Sequence, residues 1–268
     1  MENDPTAEMK SEKVSLVRWS DGRQARAQDI VASEAPLEIR LGDVPLAVVM
    51  RTPGDDLDLV RGFFITEAIL LDPSEISQID PMDESRLNVT LKEGIDVDPT
   101  QFQRNMFASS SCGVCGKASI EQVRLFARSA RPFSIEPSVL GEMTGKLREF
   151  QPTFDDTGGL HAAGVFSVEG KIFAIKEDVG RHNAVDKAIG SAAQLQWPLP
   201  PSVLVVSGRQ SFEIIQKAAL AGIGAVVGVS APSSLAVQLA QELDMLLVGF
   251  ARGEGFNVYS GEQHVRSD

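Results

Sequence analysis

A chain of 268 residues with 25 basic against 37 acidic side chains carries a net charge of −12, and 43% of it is hydrophobic. Those proportions argue against a nucleic-acid surface and supply a core for one large domain or two unequal ones. The apolar residues are spread too evenly for a membrane span. Residues 1–13 are polar and lack the apolar run of a signal peptide, so a disordered tail and a cytoplasmic location are expected.

From Pro36 the pattern reads as a hairpin: Leu37 to Leu41, a turn at Gly42-Asp43, then Pro45 to Met50. Pro53-Gly54-Asp55-Asp56 ends it and offers an N-cap for a helix running to about Leu70. The run Asp55-Asp56-Leu57-Asp58 is expected to be a capped, solvated helix start rather than a metal site. Leu87, Val89 and Leu91 alternate like a half-exposed strand, and Glu93 to Thr100 reads as a loop. A soft boundary near Gln101–Met106 divides a small α+β domain, residues 14–104, from an α/β domain, residues 105–268.

The second domain opens on the chain's two cysteines, in Ser109-Ser110-Ser111-Cys112-Gly113-Val114-Cys115-Gly116-Lys117. Ile120, Val123 and Phe126 follow at helical steps, so the pair sits at or before a helix N-terminus, beside Lys117. Such a setting lowers a thiol pKa from about 8.5 to about 6, which makes thiolate the main form at neutral pH. In a reducing compartment a Cys-x-x-Cys reads as catalytic or metal-binding before it reads as a disulfide. Two plainer readings stand beside this one: Cys115 as a buried structural cysteine, or both cysteines in a zinc site completed by His161 and His182. Neither histidine has a second ligand close in sequence, so no zinc is expected.

Leu140, Met143 and Leu147 mark another helix, and Gly158-Gly159-Leu160-His161 turns into a short helix or strand. Val165 to Val168 and Ile172 to Ile175 make a second hairpin. Arg181, His182 and Asn183 then begin a helix, a pattern that caps a turn or binds an anion. In the last third three apolar runs alternate with helices: Val203 to Val206, Ala225 to Val229 and Met245 to Phe250. That alternation predicts a parallel sheet covered on both faces. Right-handed crossovers then bring Ser207-Gly208-Arg209-Gln210-Ser211, Ser230 to Ser234 and Phe250 to Gly255 to one edge. Loops so rich in Ser, Gly and Arg point to an anionic or nucleotide ligand, although each alone is ordinary turn chemistry.

Four blocks in this order, Ser111 to Lys117, Gly158 to Ala163, Glu177 to Lys187 and Ser207-Gly208-Arg209, resemble the formate dehydrogenase accessory sulfurtransferases, the FdhD family. The resemblance implies an α/β chain with a cytidine-deaminase-like three-layer α/β/α domain at the C-terminus, a smaller N-terminal α+β domain, and a homodimer. It implies a sulfurtransferase that takes persulfide sulfur from a cysteine desulfurase and sulfurates the molybdenum bis(molybdopterin guanine dinucleotide) cofactor. The cofactor then passes to apo-formate dehydrogenase, and GDP would mimic its nucleotide end. On this resemblance Cys112 matches the persulfide cysteine and Cys115 its partner. Phe250, Ala251, Arg252, Gly253, Glu254 and Gly255 match the segment that contacts the guanine dinucleotide, where no particular acid is expected at Glu254. Ser207, Gly208, Arg209 and Ser230 complete the cofactor-binding set on the loop edge, and Lys117, Arg181, Arg209 and Arg252 are candidates for its pyrophosphates. The likeness to deaminases does not extend to their chemistry, which needs His-x-Glu and a later Pro-Cys-x-x-Cys. Here the cysteines come first and His161 is followed by two alanines. A dithiol–disulfide oxidoreductase and a non-catalytic cofactor chaperone remain as alternatives.

Overall fold

The computed structural model describes residues 10–98, 123–124, 126–127 and 131–266. The cysteine segment, Lys117 and the boundary expected near 101–106 lie outside the described residues.

Strands β1 (Ser11–Ser20) and β2 (Arg23–Ala32) form an antiparallel ribbon around Asp21 and Gly22, both with positive φ. An Asp-Gly pair suits such a tight hairpin turn. The ribbon begins inside the stretch expected to be disordered, and its largely exposed faces explain why no apolar alternation announced it.

β3 (Ala35–Leu41) and β4 (Val44–Arg51) are the expected hairpin. With β5 (Ile76–Asp83) and β6 (Arg86–Leu91) they make a four-stranded sheet of order β4-β3-β6-β5. Leu37, Ile39, Leu46, Leu87 and Val89 pack from this sheet against Leu59, Val60, Phe63 and Phe64 of α1 (Asp56–Thr66). The helix stops at Thr66 rather than Leu70, and Leu71 is exposed. Its start also differs from expectation. Asp55 lies in the left-handed region and makes no side-chain cap. Its carboxylate instead takes the ammonium groups of Lys10 at 3.0 Å and Lys176 at 2.6 Å. Asp56 is buried and receives Arg51 Nε at 2.9 Å and Nη2 at 2.8 Å. The acidic run is therefore paired, where the sequence suggested a solvated face.

Next come α2 (Pro137–Glu149), α3 (Pro152–Thr157), β7 (His161–Ser167), β8 (Ile172–Asp178) and α4 (Arg181–Leu195). They are followed by β9 (Ser202–Val206), α5 (Phe212–Leu220), β10 (Ala225–Gly228), α6 (Ser234–Glu242), β11 (Leu246–Arg252) and β12 (Gly255–Ser260). The six-stranded sheet has the order β12-β11-β10-β9-β7-β8. Only the β9–β10 and β10–β11 pairings are parallel; β7 with β9, β8 with β7 and β12 with β11 pair antiparallel, so the sheet is mixed. Two-residue alternation splits its side chains. Val203, Val205, Val227 and Val248 pack with Leu140, Met143 and Leu147 of α2. Leu204, Val206, Val226 and Leu247 pack with α4, α5 and α6.

The smaller sheet reaches this body through α1, which crosses α4 at glycines. A Cβ on Gly62 would lie 1.8 Å from Asp186 O, and one on Gly190 would lie 2.0 Å from Asp58 O. Buried ions hold the same seam. Lys217 Nζ sits 2.9 Å from Asp186 and 2.7 Å from Glu67, and donates to Thr66 Oγ1 at 2.9 Å. Among the described residues no helix is long and apolar enough to cross a membrane.

Candidate functional site at the strand ends

The three loops leave the parallel strands at one edge, as the topology of alternating strands and helices requires. Gln210 staples them together. Its Nε2 donates to Val248 O at 2.8 Å, its amide to Ala231 O at 3.2 Å, and its carbonyl accepts the Ser233 amide at 2.9 Å. Gly228 leaves the space for it, since a Cβ there would meet Gln210 Nε2 at 1.8 Å. The Phe250 amide donates to Ser230 O at 3.1 Å, tying the third loop to the second. Nothing in the sequence marked Gln210, because a glutamine after a strand reads as a surface residue.

β7 runs against β9, so its first residue, His161, arrives at the same edge. The Ala162 amide donates to Ser207 Oγ at 2.9 Å, and the Ser207 amide to Ala162 O at 3.0 Å. Beside this junction opens a cavity of about 670 Å³. Its walls include His161, Ser207, Ala251, Arg252 and Gly253 from the edge, and Thr144, Arg148 and Phe154 from α2 and α3. The floor is tight, because Gly141 of α2 meets the backbone of Gly253. α3 is held from β8, where Glu177 accepts the Thr153 amide at 3.1 Å and the Phe154 amide at 2.8 Å. A volume of this size is in the range of small-molecule sites.

A second group of cations stands around His161. Asp178, fully buried, accepts the Gly180 amide at 2.8 Å and Asn183 Nδ2 at 3.0 Å through one oxygen. Its other oxygen takes the Thr52 amide at 3.1 Å and Lys187 Nζ at 2.7 Å. This fixes the turn that presents Arg181 and His182 at the start of α4. His182 Nε2 lies 2.9 Å from Glu213 Oε2, and that contact holds the Glu213 carboxyl below its usual range. His161 is depressed as well, by burial first and then by the charges of Arg181, His182 and Arg209. A histidine so placed is neutral at physiological pH.

Of the residues expected to bind cofactor, Ser207, Ala251, Arg252 and Gly253 line the cavity. Gly208 lies against the His161 ring. Arg209 is exposed and acts on His161 through its charge rather than by lining the cavity. Phe250 is 47% exposed at a positive φ of 53°. Glu254 belongs to the exposed turn between β11 and β12, and Gly255 pairs back to Arg252. Ser230 contributes its carbonyl to the loop staple. Cys112 and Cys115 lie outside the described residues. The contributions of Thr144 and Phe154 escaped the sequence reading, because they come from helices remote in sequence from the loops they face.

The class defined here is an α/β protein with a cavity at the strand ends of its larger sheet, lined in part by Arg148, His161 and Arg252. Residues 32–266 match the FdhD/NarQ family, and the chain belongs to it. It is 45% identical over 269 residues to the sulfur carrier protein FdhD of Streptomyces avermitilis, with 95% of each chain covered. It is 39% identical over 258 residues to the protein of the same name from Sulfolobus acidocaldarius, covering 96% of this chain and 99% of the other. The fold also matches a crystal structure described as a formate dehydrogenase accessory protein from Desulfotalea psychrophila, with a TM-score of 0.78 and 23% identity. That match covers 96% of this chain and 99% of the other.

Proposed function

We propose that this protein is a sulfur carrier in formate dehydrogenase maturation, delivering sulfur to a molybdenum bis(molybdopterin guanine dinucleotide) cofactor held at the strand-end cavity. The observation that carries the reading is that cavity, edged by Arg252 and His161, in a chain whose family relatives are named sulfur carriers. The cavity suits one nucleotide end of the cofactor. Arg252 supplies charge-assisted bonds to phosphate, and the exposed ring of Phe250 offers a face on which guanine stacks. A two-fold pair of chains would offer one cavity to each guanine, and we take the homodimer as the working assembly. The six-stranded body, with helices on both faces, is the part we read as deaminase-like.

The chemistry belongs to the cysteines. The Cys112 thiolate attacks the outer sulfur of a persulfide on a cysteine desulfurase; the S–S bond there breaks, and the desulfurase leaves as thiolate. Cys112 then carries the sulfur as its own persulfide. Attack by the Cys115 thiolate on Cys112 Sγ forms a disulfide and releases hydrosulfide, so the two electrons that reduce the sulfur come from the dithiol. This cycle needs a reducing compartment, which fits a cytoplasmic protein. His161, neutral at physiological pH, can accept a proton at the cavity wall.

The test is a mass measurement after incubation with a cysteine desulfurase and cysteine. A gain of about 32 Da, one sulfur atom, is expected on the wild-type chain and not on Cys112→Ala. The same gain on the variant would overturn the assignment, and no gain on either chain would favour a chaperone without sulfur chemistry.

A further inference from the structure

Arg181 and Arg209 do not line the cavity with Arg252, but both stand close enough to His161 for their charges to act on its ring. The Cβ that Gly208 lacks would lie 3.2 Å from His161 Nδ1 and 3.8 Å from Arg181 Cβ, so loop backbone, imidazole and arginine stem are neighbours. Among the described residues neither guanidinium has a carboxylate partner, in a chain with twelve more acids than bases. The acids nearby are already engaged: Asp178 by Lys187 and the turn amides, Glu213 by His182. Among the described residues Arg181 Nε is shut off from solvent and has no acceptor. A buried donor left this way is destabilising, and an oxygen that accepts from it removes the cost.

We infer that Arg181 and Arg209 form a binding site for a multiply charged oxyanion, with His161 as its wall, and that filling the site places a proton on His161. Burial, Arg181, His182 and Arg209 disfavour the imidazolium, and Asp178 opposes them. A dianion between the arginines cancels their charge at the imidazole and accepts a charge-assisted bond from it. The pKa of His161 therefore rises from below its ordinary value. Between the free and bound values, binding takes up a proton, so affinity increases as pH falls through that window and levels off below the free value. The site stands on the cations themselves. The proposed function enters only in naming the natural ligand, for which the phosphate groups of the nucleotide cofactor have the required chemistry.

Sulfate is the probe, because it stays a dianion across the range in which histidine titrates. The full chain, with carbon-13-labelled histidine, is titrated by NMR with and without sulfate. Only three histidines are present, and His161→Gln identifies the signal. Sulfate is expected to raise the His161 midpoint by about one pH unit or more. In Arg181→Gln and in Arg209→Gln the midpoint should already be higher without sulfate, and the response to sulfate should be lost. Arg181→Lys should keep part of it. The exposed Arg209 serves where Arg181→Gln fails to fold.

The source of the oxyanion is read by adding GDP or guanosine. If GDP but not guanosine removes the sulfate response, a nucleotide's diphosphate reaches the site. If the response persists beside GDP, the ligand is a free inorganic oxyanion. A His161 midpoint that ignores sulfate in the wild-type chain overturns the inference, as does a shift that survives in both glutamine variants. Loss of the response in Arg252→Gln alone would place the anion in the cavity instead. No step of this test uses Cys112, so a failure of the sulfur-carrier reading leaves it standing.

Discussion

Two regions of this protein use charge in opposite ways. Along the seam where α1 crosses α4 and α5, the ions are buried and each has its partner. Lys187 meets Asp178 at 2.7 Å, Lys217 meets Asp186 at 2.9 Å, and Thr66 Oγ1 donates to Asp186 at 2.7 Å. Burial alone would discharge Lys217, yet Asp186 and Glu67 raise its pKa, so it stays a cation. At the strand-end edge, Arg181, Arg209 and Arg252 have no such partner among the described residues. Charges of the first kind hold two sheets in one orientation. Those of the second kind are the ones we propose meet an anionic ligand.

The contrast breaks most visibly at Lys217. Lys217→Met leaves Asp186 buried and uncompensated, and should lower stability by about 3–5 kcal/mol in urea unfolding. Arg209→Gln, at the exposed edge, should stay within about 0.5 kcal/mol of wild type. Removing both seam charges in Asp186→Leu with Lys217→Met should recover much of the loss, because the cost comes from orphaning one ion. Equal effects of Lys217→Met and Arg209→Gln would erase the distinction.

A smaller effect is expected from geometry. Gly190→Val puts side-chain atoms where the Asp58 carbonyl sits, and should destabilise by about 1–3 kcal/mol as the helices separate. The same substitution at Gly145, where a Cβ meets nothing within 4 Å, should stay within about 0.5 kcal/mol of wild type, because valine is no worse a helix former than glycine. Similar losses at both positions would mean that the α1–α4 crossing is loose.

The smallest effect concerns pH. Burial works to raise the Asp55 carboxyl, but the ammonium groups of Lys176 and Lys10 prevail and lower it from 3.8 to about 2. A depressed folded pKa contributes stability that is present above 3.8 and lost as pH falls through about 2. Acid unfolding of Asp55→Asn should therefore show a shallower dependence across that window than wild type. An unchanged slope would mean that Lys10 and Lys176 do not hold the Asp55 carboxylate.

Much of the larger sheet was legible because β9, β10 and β11 are unbroken apolar runs, and such runs have few other destinations. The loop edge followed from topology, so the placement of Ser207, Ala251, Arg252 and Gly253 together at the strand ends was legible. The seam was not legible. Lys187 and Lys217 sit inside helices, where a lysine reads as a solvent face, and only the tertiary packing supplies Asp178 and Asp186. The acidic run at Asp55 misled for the same reason, since its partners Arg51, Lys10 and Lys176 come from three other strands or their flanks. The β1–β2 ribbon carried only its Asp-Gly turn as a signal. The β7–β8 hairpin was expected and is present, whereas the run of β7 and β12 against their parallel neighbours was not, because apolar content alone does not set strand direction.

The claim that the unpaired edge awaits an anionic nucleotide is tested most directly by calorimetric titration of GDP into wild type and Arg252→Ala, with thermal melts of both. A charge-assisted hydrogen bond to phosphate contributes about 1.5–3 kcal/mol, so the variant should bind GDP about tenfold more weakly or worse. Its melting temperature should be unchanged, and wild-type affinity should fall with added salt. Equal affinities in two equally stable proteins would contradict the account and move the nucleotide away from the strand ends.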